Sequence, residues 1–325
     1  MWSTDQPLNP GAFLIRYEQV VLVMAEKWRV IALGFFDGVH IGHAALLRAV
    51  ATIAAECRLM PSAITFDAHP QSLISGATTP LINSPEDRAG LIRRLSGIED
   101  IIFLRFDTET ANMPWDSFIT HLYEEFGARY LVAGYDFRFG RGGVGNGRLL
   151  ARKCRELGIG CEIVPEVKHD GITCSSSYIR ELLLEGDMAR AAAFLGHPHV
   201  LTDVVEHGYR LGSKLGAPTI NMRFEDNVLV PALGVYATIV RLQDGSAHTG
   251  VTNIGVRPTV GGRAQVNVET HIIDFHSSLY GHRVHIDFYT RLRPEIKFES
   301  VADLTRQIRL DREAAISYFS SENNL

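Results

Sequence analysis

Short apolar runs alternate with amphipathic helical patterns through the first half of the chain, and this order constrains the fold more than any other feature. Residues 28–36 form an apolar run that ends in glycine and aromatic residues, as a buried parallel strand does. Residues 41–58 follow with apolar side chains at helical spacing. The order then repeats, so the sequence predicts an α/β domain whose parallel sheet carries helices on both faces. The further predicted elements are 62–66, 86–95, 100–104, 115–126, 129–133, 149–157 and 161–164.

Two-residue alternation of apolar and polar side chains replaces this order in the last third of the chain. It is clearest at residues 266–272, and Asp244-Gly245 predicts a hairpin turn. We predict two domains: residues 1–186 with the parallel sheet, and residues 187–325 with a small antiparallel β-barrel and a closing helix. Two short helices, 177–184 and 187–195, are predicted on either side of this boundary, and a last helix is predicted with Val301, Leu304, Ile308, Ala315 and Phe319 on one face.

Charge and apolar content exclude several classes of partner. The chain has 32 Lys and Arg against 37 Asp and Glu, which gives no electrostatic footprint for nucleic acid. No apolar run approaches the roughly 20 residues of a membrane span, and residues 1–11 lack the segments of a signal peptide. Four cysteines without C-x-x-C spacing indicate the reduced thiols of a cytosolic protein, with two disulfides as the alternative. We therefore expect a cytoplasmic protein whose partners include neither nucleic acid nor a membrane.

Residues 34–43 read GFFDGVHIGH, and they place His40 and His43 between a strand and a helix. Backbone N–H groups at the start of such a helix face an anion, and histidines there would add donors to phosphate oxygens. A zinc site is disfavoured because no third Cys or His ligand lies nearby and the chain has no H-E-x-x-H pattern. A turn with two incidental surface histidines is the alternative.

His-x-Gly-His after a strand resembles the signature that nucleotidylyltransferases share with class I aminoacyl-tRNA synthetases. The run SSSYIR at residues 175–180 is similar to the Ser-Ser-Thr-x-x-Arg signature of bacterial FAD synthetases, with Ser177 in place of threonine. By itself such a serine run is more often a helix N-cap. TFDAHP at 65–70 and GYDFRFG at 134–140 resemble two further segments of the same family. The four motifs lie at strand ends, where an open α/β sheet binds ligands.

Two other interpretations of the first half are disfavoured. Gly140-x-Gly142-x-x-Gly145 formally matches the dinucleotide fingerprint. It does not directly follow a strand and lies late in the domain, so we interpret it as a flexible loop rather than a Rossmann cofactor site. A class I aminoacyl-tRNA synthetase fragment would need a Lys-Met-Ser-Lys-Ser-like loop, which the chain lacks.

A glycine-rich segment opens the predicted barrel, where three glycines spaced by four lead into APTIN at residues 217–221. Glycines let the backbone approach phosphates, while the Thr219 hydroxyl and the Asn221 carbonyl are oxygen ligands suited to Mg²⁺. An ordinary glycine-rich hairpin is the alternative. The segment resembles the riboflavin kinase signature Gly-Phe-Pro-Thr-Ala-Asn, with Ala217 in place of Phe and Ser213 in place of a common basic residue. Further matches to that family follow in order: Asn253-Ile254-Gly255, Pro258-Thr259, Val268-Glu269-Thr270-His271, Asp274-Phe275, Leu279-Tyr280-Gly281, Leu292-Arg293, Gln307-Ile308 and Asp311.

These motifs cover nearly the whole chain, which is identified as a member of the bacterial bifunctional riboflavin kinase/FMN adenylyltransferase (FAD synthetase) family. The resemblance implies a Rossmann-like nucleotidylyltransferase domain followed by a riboflavin kinase barrel. In the barrel, riboflavin would be phosphorylated by ATP, with Glu269 accepting the hydroxyl proton and with Thr219 and Asn221 holding Mg²⁺. A kinase domain that is weakened or regulatory is the alternative, because of Ala217 and Ser213.

The resemblance implies that the first domain then transfers AMP from a second ATP to FMN, which gives FAD and pyrophosphate without a protein nucleophile. His40 and His43 would bind the phosphates, with Ser176 and Arg180 on the leaving-group side. The expected partners are therefore riboflavin, FMN and ATP, and we expect a monomer or a weakly self-associating chain. The resemblance also implies ATP or phosphate binding by Gly34, Phe36, Gly38, Gly42, Ser177, Gly208, Gly212 and Gly216, and flavin binding by Phe66, His69, Pro70, Asp136 and Arg293.

Overall fold

The computed structural model describes residues 28–67, 79–206, 218–258 and 264–321. The chain forms two compact units, each built from several stretches of sequence. The predicted boundary after residue 186 divides the sequence rather than these units, and it stays a prediction. The first unit draws on the described parts of Met1–Phe35, Leu46–Gly76 and Ile98–Val164, and the second on those of Phe36–Ala45, Ala77–Gly97 and Pro165–Leu325.

Five strands form a parallel sheet in the first unit: β1 (Arg29–Leu33), β2 (Met60–Phe66), β3 (Asp100–Leu104), β4 (Ala128–Gly134) and β5 (Gly160–Val164). The strand order is β3–β2–β1–β4–β5, so the predicted parallel sheet is confirmed. This order reverses its direction between β1 and β4, and ligands of open α/β sheets bind at such a switch point, outside the carboxyl ends of the strands.

The central strand β1 is buried along its whole length. Ile31 and Leu33 pack on one face against an apolar cluster that includes Phe118 and Leu150, while the alternate residues Val30 and Ala32 are fully buried on the other face. The predicted strand reached Phe36, but β1 ends at Leu33, because the backbone of Phe36 is left-handed with φ 56°. This early end starts the turn that carries the two histidines.

Eight helices are described: α1 (Ile41–Cys57), α2 (Pro85–Ser96), α3 (Thr108–Asn112), α4 (Trp115–Glu125), α5 (Gly147–Leu157), α6 (Ser176–Glu185), α7 (Met188–Leu195) and α8 (Val301–Ser321). None of them, within the described ranges, combines the length and the apolar character needed to cross a membrane.

The second unit contains a short hairpin, β6 (Lys168–His169) with β7 (Ile172–Thr173), and six antiparallel strands: β8 (His199–Val204), β9 (Thr219–Met222), β10 (Gly234–Arg241), β11 (Ala247–Pro258), β12 (Ala264–Ile272) and β13 (Arg283–Pro294). Their order is β8–β13–β10–β11–β12–β9. Just beyond β8, the Glu206 N–H donates to the Asn221 carbonyl of β9 at 2.9 Å, which brings the two edge strands together as barrel closure requires.

Helix α8 covers part of the outer face of the barrel, as predicted. Ala315 is fully buried there against Ala237, and Tyr318 and Phe319 pack around them. Inside the barrel, apolar side chains that include Tyr236 and Phe288 form one large core with α6 and α7. The α/β class with a sheet domain and an antiparallel barrel closed by a helix is therefore confirmed.

Candidate active sites

Residues 36–43, called the histidine turn below, have an unusual backbone. Phe36 and Val39 have φ of 56° and 41°, values that side-chain-bearing residues adopt rarely and that concentrate at functional sites. Gly38 has φ 81°, and a Cβ built on it would lie only 3.0 Å from the Ile82 Cδ1 atom. Glycine is therefore required at position 38, and α1 begins three residues later.

The two predicted histidines lie face to face within this turn. Their ring centroids are 3.6 Å apart with an angle of 15° between the planes, and the His43 N–H donates to His40 Nδ1 at 3.3 Å. A Cβ on Gly42 would lie 3.1 Å from the same Nδ1, so this glycine leaves room for the His40 ring. The Nδ1 atom of His43 is buried and neither accepts nor donates a hydrogen bond within the described structure. The two rings thus pack against each other within the turn, and a phosphate site at this pair stays a prediction.

Burial keeps both imidazoles neutral near pH 7. The pKa of His40 is lowered to about 4, mainly by burial and to a smaller extent by the nearby His197, against the opposing effect of a backbone hydrogen bond. Burial also lowers the pKa of His43 well below its usual value, with further contributions from His40 and Arg88. A neutral imidazole offers one N–H donor, and a bound polyphosphate would raise these pKa values by its negative charge. The site can therefore take up protons as an anion binds.

Asp37 ties the histidine turn to two other segments of the second unit. Its carboxylate, 1% exposed, accepts from the Ile82 N–H at 2.9 Å and from Arg180 Nη2 at 2.6 Å. Its carbonyl oxygen accepts from the Ser176 hydroxyl at 2.9 Å, and Arg180 Nε donates to the Pro80 carbonyl at 2.9 Å. The predicted Ser176 and Arg180 are thus brought to the histidine turn, where their bonds go to protein atoms. Sequence reasoning missed Asp37, although a carboxylate inside an apolar glycine-rich run signals a buried partner.

His197 is a second residue that sequence reasoning missed. Its Nε2 lies 3.0 Å from the Gly38 carbonyl oxygen, and its Nδ1 lies 2.7 Å from the Pro198 carbonyl oxygen. Its side chain is 7% exposed, and burial lowers its pKa against the effect of these two carbonyls. The contact fixes the backbone of the histidine turn at Gly38, the glycine with a left-handed φ.

The serine run before α6 begins with the N-cap residue of that helix. The Ser175 hydroxyl accepts from the Tyr178 N–H at 3.3 Å, and Ser177 lies in the first helical turn. The commoner meaning of such a run, a helix N-cap, is therefore confirmed, and the signature interpretation stays a prediction. Helix α6 ends at Gly186, which adopts a left-handed φ of 81°.

The other residues predicted for the first site lie in the first unit. Gly34 follows β1, and its N–H donates to the Ile64 carbonyl at 3.3 Å. Asp136 is exposed just beyond β4, so both residues lie at the switch point of the sheet. Phe66 ends β2 with its ring edge-on to Phe106, at a centroid distance of 5.3 Å. The predicted His69 and Pro70 lie outside the described residues.

The glycines at 140, 142 and 145 form a hydrogen-bonded turn. Gly145 N–H donates to the Phe139 carbonyl at 2.8 Å, and the Phe139 N–H donates back to Gly145 at 3.4 Å. Gly140 has φ 71°, and a Cβ on it would lie 2.5 Å from the Trp115 Cα atom. Close packing against Trp115 accounts for this glycine without a bound dinucleotide.

A second set of polar residues crosses the outer face of the barrel. Asn221 on β9, Glu269 on β12 and Asn253 on β11 are direct register partners, and we call these three residues the barrel row. Asn267, two residues before Glu269, donates from Nδ2 to Glu269 Oε1 at 2.8 Å and to Asn221 Oδ1 at 3.4 Å. Thr219 lies two residues before Asn221 and so shares its face of β9. The predicted Thr219, Asn221 and Glu269 are thus brought together.

Another carboxylate lies beside the barrel row. A Cβ built on Gly255 would lie 2.3 Å from Glu295 Oε1 and 3.0 Å from Asn253 Nδ2. The glycine of the Asn-Ile-Gly motif therefore leaves space that Glu295 occupies. The motif marks the glycine in the sequence, but its neighbour is 40 residues away, so sequence reasoning missed Glu295.

Arg293 continues the barrel row, because its register partner Val235 is itself the partner of Asn253. It makes a two-pronged ion pair with Asp311 of α8, from Nε at 2.9 Å and from Nη2 at 2.7 Å. Gln307 also donates to this carboxylate, at 2.8 Å. The guanidinium thus anchors α8 to the end of β13. Its predicted contact with a flavin stays a prediction.

The oxygen donors at the barrel row suit Mg²⁺. Thr219 supplies a hydroxyl, Asn221 an amide oxygen and Glu269 a carboxylate, and Mg²⁺ is commonly held by few protein oxygens together with substrate phosphates. Across the described ranges, no three His, Cys, Asp or Glu side chains come together to hold a metal ion, so a site here would depend on the neutral oxygens of Thr219 and Asn221 as well as on the carboxylate. The predicted Gly208, Gly212 and Gly216, with Ser213 and Ala217, lie outside the described residues.

Two family models match the chain in sequence order. The model described as FAD synthetase matches residues 23–178, and the model described as riboflavin kinase matches residues 195–319. The first match contains the histidine turn, and the second contains the barrel row. The predicted residues of each site therefore fall within its own family match, except Arg180, which lies two residues beyond the end of the first match.

Curated relatives match nearly end to end. The bifunctional riboflavin kinase/FMN adenylyltransferase of Bacillus subtilis is 34% identical over 312 residues, which cover 95% of this chain and 96% of the relative. The proteins of the same name from Haemophilus influenzae and Escherichia coli K12 are 34% and 32% identical, and the matches cover 90% and 89% of this chain and 94% and 92% of the relatives. A crystal structure described as a macrolide-efflux protein from Streptococcus pneumoniae superposes with a TM-score of 0.78 at 28% identity, over 89% of this chain and 94% of that one.

Proposed function

The chain belongs to the family of bifunctional riboflavin kinases/FMN adenylyltransferases, and from this premise we propose that it makes FAD from riboflavin in two ATP-dependent steps. The first step transfers the γ-phosphoryl group of ATP to the terminal ribityl hydroxyl, which gives FMN and ADP. The second transfers AMP from another ATP to FMN, which gives FAD and pyrophosphate. The observation that supports both steps is that each family match contains a polar site built by its own predicted residues.

The barrel row would carry the phosphorylation. Glu269 accepts the proton of the attacking hydroxyl, because a carboxylate within hydrogen-bond reach can do so. Thr219 and Asn221 would hold Mg²⁺, which supplies charge neutralisation at the transferring phosphate. The remaining gain in reaction rate would come from alignment of the hydroxyl with the phosphorus atom, which the fixed register of β9 and β12 supports. Arg293 is proposed to line the flavin end of this site.

The histidine turn would carry the adenylylation. The FMN phosphate attacks the α-phosphorus of ATP directly, so no protein nucleophile is needed. His40 and His43 bind the phosphates and stabilise the charge that develops on them. Ser176 and Arg180 stand on the leaving-group side, and their bonds to Asp37 also hold the turn in place. Phosphate contacts are further proposed for Gly34, Phe36, Gly38, Gly42 and Ser177, and flavin contacts for Phe66 and Asp136.

We also propose that the two activities divide along the sequence between residues 186 and 187. The two family matches leave residues 179–194 between them, and this division falls there. A cytoplasmic setting is proposed because the four cysteines are free thiols, as in reducing compartments. A monomer or a weakly self-associating chain completes the proposal.

The test is incubation of the purified chain with riboflavin, ATP and Mg²⁺, followed by separation of the flavins. FMN that appears first and FAD that follows are expected. FAD from supplied FMN, without any FMN from riboflavin, would indicate the alternative in which the barrel is weakened or regulatory. No conversion of either flavin would contradict the proposal.

A further inference from the structure

Asn267 is placed to act on the barrel row without belonging to it. It lies on β12 two residues from Glu269, so the two side chains share one face of the strand. Its amide nitrogen donates to Glu269 Oε1 at 2.8 Å and lies 3.4 Å from Asn221 Oδ1. A carboxamide nitrogen has two N–H donors, so one group can serve both oxygens.

We propose that Asn267 is a positioning residue for the kinase reaction, which holds the base Glu269 and the metal ligand Asn221 in one arrangement. This inference rests on the proposed kinase function and adds a residue that the family motifs do not include.

The need for such a residue follows from the chemistry of the two groups. A carboxylate on an open sheet face can rotate away from the substrate hydroxyl, and proton transfer requires hydrogen-bond reach. An asparagine amide can turn so that its NH₂ group, rather than its oxygen, points at a cation. Donation from Asn267 selects the oxygen of Asn221 and fixes one oxygen of Glu269. Each acceptor keeps a further lone pair for the hydroxyl or for the metal.

Hydrogen bonds rather than close packing hold the amide at this position. The register partner of Asn267 on β11 is Gly255, which contributes no side chain of its own and leaves space that Glu295 occupies. Asn267 is itself only half-buried, so its hydrogen bonds rather than its packing determine where the amide lies. Loss of the amide should therefore disturb the geometry of the site more than the stability of the barrel.

The test compares Asn267→Leu, which keeps the size but loses both donors, with Asn267→Gln, which keeps the amide on a longer stem. The matched control is Asn112→Leu, because Asn112 also donates from its amide, to the Thr108 carbonyl in α3 at 2.8 Å, outside the barrel. Each variant is assayed for riboflavin phosphorylation at several Mg²⁺ concentrations and for adenylylation of supplied FMN. Quenching of riboflavin fluorescence in the presence of ADP and increasing Mg²⁺ gives a readout without turnover.

Asn267→Leu is expected to lower the kinase kcat by about 10- to 100-fold, the range typical of residues that orient metal ligands. The Mg²⁺ concentration for half-maximal quenching should rise severalfold, while the KM for riboflavin and the adenylylation rate stay at the parental values. Asn267→Gln should recover most of the kcat, and Asn112→Leu should change none of these quantities.

Parental kcat and Mg²⁺ dependence in Asn267→Leu would overturn this inference and leave the proposed kinase function intact. An equal loss of both activities together with a lower melting temperature would show a structural role and would also overturn it. A parent chain that forms no FMN would instead remove the proposed function and the inference together.

Discussion

His199 lies inside the barrel with both ring nitrogens buried and without a hydrogen-bond partner in the described structure. Its ring packs against Phe224 and Phe288, at centroid distances of 6.2 and 5.8 Å. Burial, with a smaller effect of His197, lowers its pKa to about 3. Because the unfolded chain binds a proton near pH 6.5 and the folded chain does not, this residue costs stability as the pH falls below 6.5.

His199→Phe should therefore stabilise the chain, because it removes a buried polar ring without partners at a site already lined by aromatic groups. We expect a gain of about 1–3 kcal/mol at pH 7.5 and a further gain of about 1.4 kcal/mol at pH 5.5, where the unfolded imidazole is protonated. Urea unfolding at the two pH values measures both. His276→Phe, at an exposed position, is the control and should change little. An unchanged pH dependence in His199→Phe would contradict the assignment.

At the scale of secondary-structure elements, the ion pair of Asp37 and Arg180 connects the histidine turn to α6. The two side chains are 1% and 13% exposed, respectively. Asp37→Asn keeps the shape but removes the charge, which leaves the guanidinium largely buried without its counter-ion. The unfolding free energy should fall by about 3 kcal/mol, and FAD formation should fall with it as the histidine turn loosens. Denaturant unfolding and the FMN adenylylation assay measure the two effects.

A double variant tests whether the pair itself is responsible. The double variant Asp37→Asn with Arg180→Met should lose less unfolding free energy than the two single variants lose together, because the second change removes the unpaired charge. Glu156→Gln, which breaks the exposed pair with Arg152, is the matched control and should cost less than about 0.5 kcal/mol. Additive losses would show that Asp37 and Arg180 act independently.

Local patterns predicted the elements better than they predicted the sites. The periods of 2 and 3.6 residues are properties of short segments, so the five parallel strands and the alternation of the barrel could be read directly from the sequence. Asp37 and Arg180 are 143 residues apart, and only the folded chain determines that one carboxylate serves both the turn and α6. The same applies to His197 on Gly38. Asn267 differs, since its spacing of two from Glu269 on a strand already predicts a shared face.

At the scale of the whole molecule, the two proposed activities should separate by mutation and recombine by mixing. His43→Ala should form FMN but no FAD, because the phosphate site of the histidine turn is lost. Glu269→Gln should convert supplied FMN but not riboflavin, because a carboxamide is a far weaker proton acceptor. An equimolar mixture should then make FAD from riboflavin, since FMN released by the first variant is substrate for the second. Flavin separation over time gives the result, and a mixture without FAD would contradict separable sites.

A residue within the riboflavin kinase match should nevertheless influence the other activity. His197→Leu removes the contact with the Gly38 carbonyl and fills the buried position with an apolar side chain of similar size. We expect FAD formation to slow by about tenfold while FMN formation stays at the parental rate. His282→Leu, exposed within the same match, is the control. Parental FAD formation in His197→Leu would show that the histidine turn holds its backbone without this contact.

The left-handed backbone of the histidine turn also has a consequence for how the nascent chain matures. Gly38 leaves the ribosome 159 residues before His197, which holds its carbonyl, and Arg180 also follows Asp37 by 143 residues. At roughly 5–20 residues per second, translation needs about 8–30 s to deliver the last of these partners. During that interval the strained turn has the Ile82 N–H as a partner but lacks its contacts with Arg180 and His197, although its flanking strand and helix are already complete. The first activity encoded in the message should therefore be acquired only after synthesis has entered the region that encodes the second.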